Sequence, residues 1–236
     1  MTRLPLILVA LLSASIPAGS QTFGGFVDAE VQTLPREDTP GARASLSMTV
    51  ILLKGSNWSE KRVRSHIERT RKIFAACEVA IGPITFVKAS APDHRHDLEM
   101  SEIHPKARVP QDVFRLSKLL PRDAHWPVAI FAGRLLGDNA LARSYGRGAV
   151  EPGSEPDYPY MNTAWFAFKT HWIERRDREY SSLAHELTHL LCECGHESRD
   201  FPHMMHTHLN MLSSRILPEH CEFIATSPLL THGESQ

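Results

Sequence analysis

The histidines of this chain are concentrated in one short window. The 236-residue sequence holds 14 histidines, and six of them lie between positions 185 and 208. Within this window the stretch HELTH places His185 and His189 four residues apart, with Glu186 directly after the first. On an α-helix, side chains four positions apart lie on one face, separated by about 6 Å along the axis. This spacing predicts one catalytic zinc ion bound by both imidazoles, with Glu186 as the general base that acts on a zinc-bound water.

A third ligand is expected shortly after this helix, because a catalytic zinc usually takes three protein ligands and leaves one position for water. Gly195 is able to turn the chain with a positive φ, and His196 follows it directly. His196 is therefore the predicted third ligand. The alternatives for this position in the same window are His203, His206, Cys192 and Cys194.

The longer stretch HELTHLLCECGH, followed by two methionines in PHMMH, resembles the motif of the metzincin clan of zinc metallopeptidases. That motif is HExxHxxGxxH, or Asp in the last position, followed by a Met-turn. The resemblance implies that zinc is bound by His185, His189 and His196 and that Glu186 is the general base. It also implies that Met205 or Met204 forms the hydrophobic floor under the metal.

Two departures from the metzincin pattern lie between the second and third histidines. Cys192 occupies the position of the family's glycine, and His196 lies seven residues after His189, where the family has six. We expect the loop to accommodate one inserted residue, with Gly195 supplying the turn.

The first 20 residues have the pattern of a secretory signal peptide. They carry one positive charge at Arg3, an apolar core from Leu4 to Leu12, and small residues that end in Ala18 and Ser20. This predicts cleavage just before Gln21 and a secreted or periplasmic protein. An N-terminal membrane anchor is the alternative, although the apolar core is shorter than the about 20 residues that span a bilayer.

The four cysteines are expected to form disulfides, because export permits them and their number is even. Cys192 and Cys194 are too close in sequence to bridge comfortably, which favours the pairs Cys194–Cys221 and Cys77–Cys192. Zinc ligation or free buried thiols are the alternatives. Cys-x-Cys is not the Cys-x-x-Cys spacing of structural zinc sites.

The elements that must support this site are predicted from runs and periodicity. An amphipathic helix of about five turns begins after Asn57, with apolar residues at helical spacing, and Gly82-Pro83 is expected to break the chain. A short helix is predicted over Gln111–Leu120. Strands are predicted at Ser47–Leu53, Ile84–Val87, Pro127–Phe131, Ala140–Tyr145 and Met161–Phe168.

Together with the resemblance, this order predicts an α+β fold: a zincin- or metzincin-like single catalytic domain over residues 46–236. Its parts are a mixed twisted sheet, a long backing helix and an active-site helix. Residues 21–45 show little periodicity and are expected to form an extended N-terminal segment. Oligomeric state is not predictable from these patterns.

Charge and hydropathy exclude two classes of partner. The chain has 26 Lys and Arg against 27 Asp and Glu, a net charge of −1, without the basic stripe that nucleic-acid binding requires. No apolar run approaches the about 20 residues of a membrane span, so no membrane association is expected after signal removal.

The predicted function is that of a secreted zinc-dependent endopeptidase acting on a protein or peptide. A substrate strand is expected to pair with the sheet edge at Asn139–Tyr145. One alternative is a non-catalytic exported zinc-binding or protein-interaction module on the same fold. Another is an ordinary amphipathic helix with incidental histidines. Glu186 favours catalysis over a structural zinc, which normally fills all four positions with ligands.

Overall fold

The structure, a computed structural model, describes residues 21–146, 160–170 and 177–233, and the predicted signal peptide lies outside them. Ten strands and four α-helices are present in these ranges. In chain order they are β1 (Gln21–Phe23), β2 (Phe26–Leu34), β3 (Ala44–Leu53), α1 (Glu60–Ala75), β4 (Val79–Ser90), β5 (Leu98–Glu99), α2 (Gln111–Ser117), β6 (Val128–Phe131), β7 (Leu135–Leu136), β8 (Ala142–Tyr145), β9 (Thr163–Phe166), α3 (Ser182–Cys192), α4 (Pro218–Ala225) and β10 (Thr231–His232).

One mixed sheet dominates the fold, in the strand order β1-β2-β4-β3-β6-β9-β8, with β10 paired to β3. The pairs β3–β4, β3–β6 and β6–β9 are parallel, whereas β2–β4 and β8–β9 are antiparallel. The central strands β3, β6 and β9 are almost wholly buried, as expected for strands covered on both faces. The mixed α+β fold is therefore as predicted, and β8 lies at an edge of the sheet.

Helix α1 packs against one face of this sheet and against α3. Its buried side includes Val63, Ile67 and Phe74, the apolar positions whose spacing predicts the helix. The predicted start was two residues early: Ser59 is the N-cap and accepts a hydrogen bond from the backbone N–H of Arg62. No helix in the described ranges is long and apolar enough to cross a membrane.

The expectation that Gly82-Pro83 breaks the chain is wrong, because β4 runs through both residues. The β3–β4 register shifts at this point: Leu46 pairs with Ile81 and Met48 with Ile84. A β-bulge therefore accommodates Pro83, which has no backbone N–H to donate to the neighbouring strand. Gly82 has φ 125°, and a Cβ there would lie 2.8 Å from the Cα of Arg36. Only glycine fits this close approach.

The favoured disulfide connectivity is also wrong. The structure joins Cys77 to Cys221, which links the end of α1 to α4, and joins Cys192 to Cys194. Glu193 between the latter two is left-handed, with φ 52°, and this reversal brings their Cα atoms to 5.1 Å. That separation lies within the usual range for a disulfide, so proximity in sequence does not prevent the bridge.

Candidate metal centre

Helix α3 carries the first two predicted ligands and is fixed by burial. Its N-cap Ser181 accepts from the backbone N–H of Ala184, and its hydroxyl lies 3.0 Å from that of Thr70 on α1. Leu183 and Leu187 lie in the core between α3 and the sheet. The helix is thus held at its start by α1 and along its length by apolar packing.

The turn after α3 is made by a residue that the sequence did not single out. Glu193 is the left-handed C-cap of the helix, whereas the prediction gave this role to Gly195. Gly195 is not among the glycines with positive φ in the described ranges. The reversal therefore comes two residues earlier than predicted, between the two bridged cysteines.

The three predicted histidines meet at one point. Nε2 of His196 lies 3.0 Å from Nε2 of His185 and 3.2 Å from Nε2 of His189. In the described part of the chain, they form the one group of metal-binding side chains whose ligand atoms all lie within 4.8 Å of one another. His185 is buried, His189 half-buried and His196 exposed. This group could hold a metal ion.

Backbone carbonyls orient two of these rings. Nδ1 of His185 donates to the Met204 carbonyl oxygen and Nδ1 of His189 to that of Cys194, each at 2.7 Å. A carbonyl only accepts, so both protons sit on Nδ1 in the neutral rings, and both Nε2 lone pairs face the meeting point. Burial and the neighbouring histidines lower the pKa of His185 to about 3, which keeps this ring neutral.

Glu186 is buried beside the histidines, with 6% of its surface exposed. Burial raises the pKa of its carboxyl group, and His189, a hydrogen bond from the Ser144 hydroxyl, and Arg143 oppose that rise. Ser144 belongs to β8 and pairs with Ala164 of β9, which lies in the core shared with α3. Since cross-strand partners face the same side, Ser144 points towards α3.

A cleft runs along β8 past the histidines. Two cavities of about 360 Å³ each are lined by Glu186 and His196, and both are also lined by Ala142 and Arg143 of β8. The first extends to Glu193 and Gly195, and the second to residues after Met205. The meeting point of the histidines therefore faces an open groove bounded by the edge strand.

The predicted Met-turn residues lie in the buried core, and the Met204 carbonyl contacts the His185 ring. Met204 and Met205 are both fully buried. The Met205 carbonyl accepts from the backbone N–H of Glu197 at 2.9 Å, and the Thr207 N–H donates to the Glu197 carbonyl at 2.9 Å. This pairing attaches the residue after His196 to the methionine segment.

The alternative third ligands are not brought to this point. Both ring nitrogens of His206 are occupied, Nε2 by the Arg199 carbonyl and Nδ1 by the His208 N–H. His203 is buried outside the group, and the two cysteines of the window are in a disulfide.

Ser144 is the site residue that sequence reasoning missed. Nothing in its local sequence marks it, because its contact with Glu186 depends on β8 lying beside α3. The sheet order that creates this neighbourhood is not visible in residue spacing.

Comparison with known proteins gives a likeness in fold. No family model matches the sequence, and no curated protein is detectably similar. Among solved structures, metalloproteinase-II from Bacteroides fragilis matches with a TM-score of 0.51 and 16% identity, over 82% of this chain and 57% of that one. This chain thus spans little more than half the length of that protein. The likeness shows a metalloproteinase-like fold.

Proposed function

We propose that this chain is a zinc-dependent endopeptidase of metzincin type, with His185, His189 and His196 as ligands and Glu186 as general base. The observation that carries the proposal is the convergence of three imidazole nitrogens beside a buried carboxylate at an open cleft. At Zn–N distances of roughly 2.0–2.1 Å, two ligands of a tetrahedral site lie about 3.3 Å apart. The observed separations of 3.0 and 3.2 Å fit this spacing.

The separate roles of zinc and of Glu186 follow from the three histidine ligands and from the buried carboxylate. Zinc bound by three neutral histidines supplies Lewis acidity and lowers the pKa of a water molecule to about 7. Glu186 accepts a proton in the cleft and returns it to the leaving amine. Its raised pKa suits a group that must hold that proton between the two transfers. Ser144 keeps the carboxylate turned towards the cleft.

The substrate is proposed to be a peptide in extended conformation. β8 pairs with β9 on one side and ends the strand order on the other, so its free backbone groups border the cleft. An added strand would place successive side chains alternately towards and away from the cavities. Arg143 within the cleft is paired with Asp138 at 2.8 Å, so this guanidinium is already neutralised. A dominant preference for acidic residues is therefore not expected.

The proposed location is outside the cytoplasm. Two disulfides in the described ranges fit an oxidising compartment. The signal-like pattern of residues 1–20 supports export.

The first test is zinc stoichiometry of the mature protein and of His196→Ala. One zinc per chain, lost or much weakened in the variant, is the expected result. Full zinc retained in the variant would remove His196 from the ligand set and the metzincin assignment with it. If the wild-type protein binds no zinc when zinc is supplied, the proposed zinc site is refuted.

The second test is hydrolysis of a quenched-fluorescence library of random peptides. Cleavage is expected in the zinc form, to stop with 1,10-phenanthroline and to return with added zinc. Glu186→Ala is the matched control that should keep its zinc and lose cleavage. A zinc-loaded wild type that cleaves no peptide would instead support the non-catalytic zinc-binding module.

A further inference from the structure

The Cys192–Cys194 bridge differs from the other disulfide in the length of chain that it closes. The two cysteines are separated by 2 positions in sequence, against 144 for Cys77 and Cys221. A disulfide stabilises mainly by restricting the unfolded chain, and this effect grows with the length of the closed loop. The short bridge therefore contributes little to global stability by that route, and its effect is local.

The local partner of this bridge is His189. Cys192 is the last residue of α3, the helix that carries His189, and Glu193 reverses the chain so that Cys194 returns over the helix end. The Cys194 carbonyl then accepts from Nδ1 of His189 at 2.7 Å. The bridge and this hydrogen bond form a closed ring that ties the imidazole to its own helix.

The same bridge is the nearest anchor on the N-terminal side of His196. Only Gly195 separates Cys194 from His196, and a Cβ at Gly195 would meet no atom within 4 Å. Gly195 itself therefore has no packing contact on the side where a side chain would lie. On the C-terminal side, Glu197 is held by the backbone of Met205 and Thr207. The chain at the exposed His196 is thus held by the disulfide on its N-terminal side and by that backbone pairing on its C-terminal side.

We propose that the Cys192–Cys194 disulfide is a positioning element of the metal site, which holds the Cys194 carbonyl against His189 and fixes the approach of His196. The inference rests on the proposed zinc site. It explains the cysteine at the metzincin glycine position and the extra residue before His196: the bridge closes the loop that this insertion lengthens. Metal affinity then depends on the redox state of this pair.

The test compares zinc affinity in two disulfide-free variants. Cys192→Ser/Cys194→Ser removes the short bridge, and Cys77→Ser/Cys221→Ser is the matched control that removes the long one. Zinc dissociation constants are measured by competition with a fluorescent chelator. Loss of a group that orients a ligand typically weakens metal binding by about 10- to 100-fold. We expect that loss in the first variant, with the melting temperature of its metal-free form nearly unchanged, and the reverse pattern in the control.

A second measurement covers the case in which the first variant does not fold. The folded wild type is treated with tris(2-carboxyethyl)phosphine, which reduces each disulfide to two thiols while water supplies the oxygen of the phosphine oxide. Alkylation and mass mapping identify molecules in which only the short bridge has opened. Their zinc affinity is expected to fall as in the variant.

Two results would overturn the inference while the proposed function stands. One is wild-type zinc affinity after loss of the short bridge. The other is tighter zinc binding after reduction, which would make the thiolates ligands instead. A wild type that binds no zinc would refute the proposed function, and this inference with it.

Discussion

The two halves of the candidate site are held by different means. His185 and Glu186 lie on α3, where a capped start and a packed apolar face fix them, and both are buried. His196 lies on an exposed loop. One disulfide and one backbone pairing hold the chain there, and Gly195 has no side chain to add packing. Loss of a side chain from the helical half should therefore disturb both chemistry and folding, whereas loss of the His196 ring from the loop half should disturb metal binding and leave folding stability nearly unchanged.

The largest effect is expected at the base in the helical half. Glu186→Gln keeps the shape of the side chain but cannot take the proton, so kcat should fall by up to about 10⁴-fold. Zinc stoichiometry should stay at the wild-type value, as measured by atomic absorption. A variant that keeps near-wild-type turnover would remove Glu186 from the mechanism.

The two halves should differ most clearly in how much unfolding free energy is lost when His185 or His196 is replaced. His185→Ala leaves the buried Met204 carbonyl without its donor, and a buried unsatisfied group costs about 1–3 kcal/mol. His196→Ala removes an exposed ring, for which changes within about 0.5 kcal/mol are usual. Chemical denaturation of the metal-free proteins measures both. Equal losses of unfolding free energy in the two variants would contradict the view that the two halves are held by different means.

An effect smaller than that of Glu186→Gln is expected from the strand that supports the helical half. Ser144→Ala removes the hydrogen bond to the Glu186 carboxylate, and bonds to charged groups contribute about 1.5–3 kcal/mol. We expect kcat to fall by about tenfold or more, with KM and zinc affinity unchanged. Ser144→Thr keeps the hydroxyl and should restore most of kcat. If threonine fails to rescue, the effect of alanine is one of packing.

The smallest effect is expected at the loop glycine. Gly195→Ala introduces a Cβ that meets nothing within 4 Å, at a position outside the left-handed region. Such a change can stabilise by about 0.4–1 kcal/mol through the unfolded chain. Zinc affinity should match the wild type. A large loss of affinity would show that the turn is made at Gly195, as its residue type predicts.

What the sequence predicts well is what depends on short spacings. His185 and His189 are four residues apart on a helix, and β3 and α1 follow from apolar runs and periodicity, so these elements are recognisable locally. The contact between Ser144 and Glu186 and the pairing of Cys77 with Cys221 depend on the sheet order and on helix packing. Those contacts join residues far apart in sequence, and no local pattern encodes them.

The errors at Gly82-Pro83 and Glu193 share one cause. Both expectations assigned a backbone feature from residue type alone. In the structure, pairing with β3 carries β4 through the proline, and the bridge between the flanking cysteines accompanies a left-handed glutamate. Tertiary context overrides local preference at both places.

The bridge between Cys77 and Cys221 also governs what happens when the chain is cut. The proposed ligands, Glu186 and Ser144 all lie within the segment that this disulfide closes. A single peptide bond hydrolysed inside that segment leaves the two pieces covalently joined, so neither can diffuse away with half of the site. Cleavage of one molecule by another would therefore produce a nicked but connected protein, seen as one band on a non-reducing gel and as two after reduction.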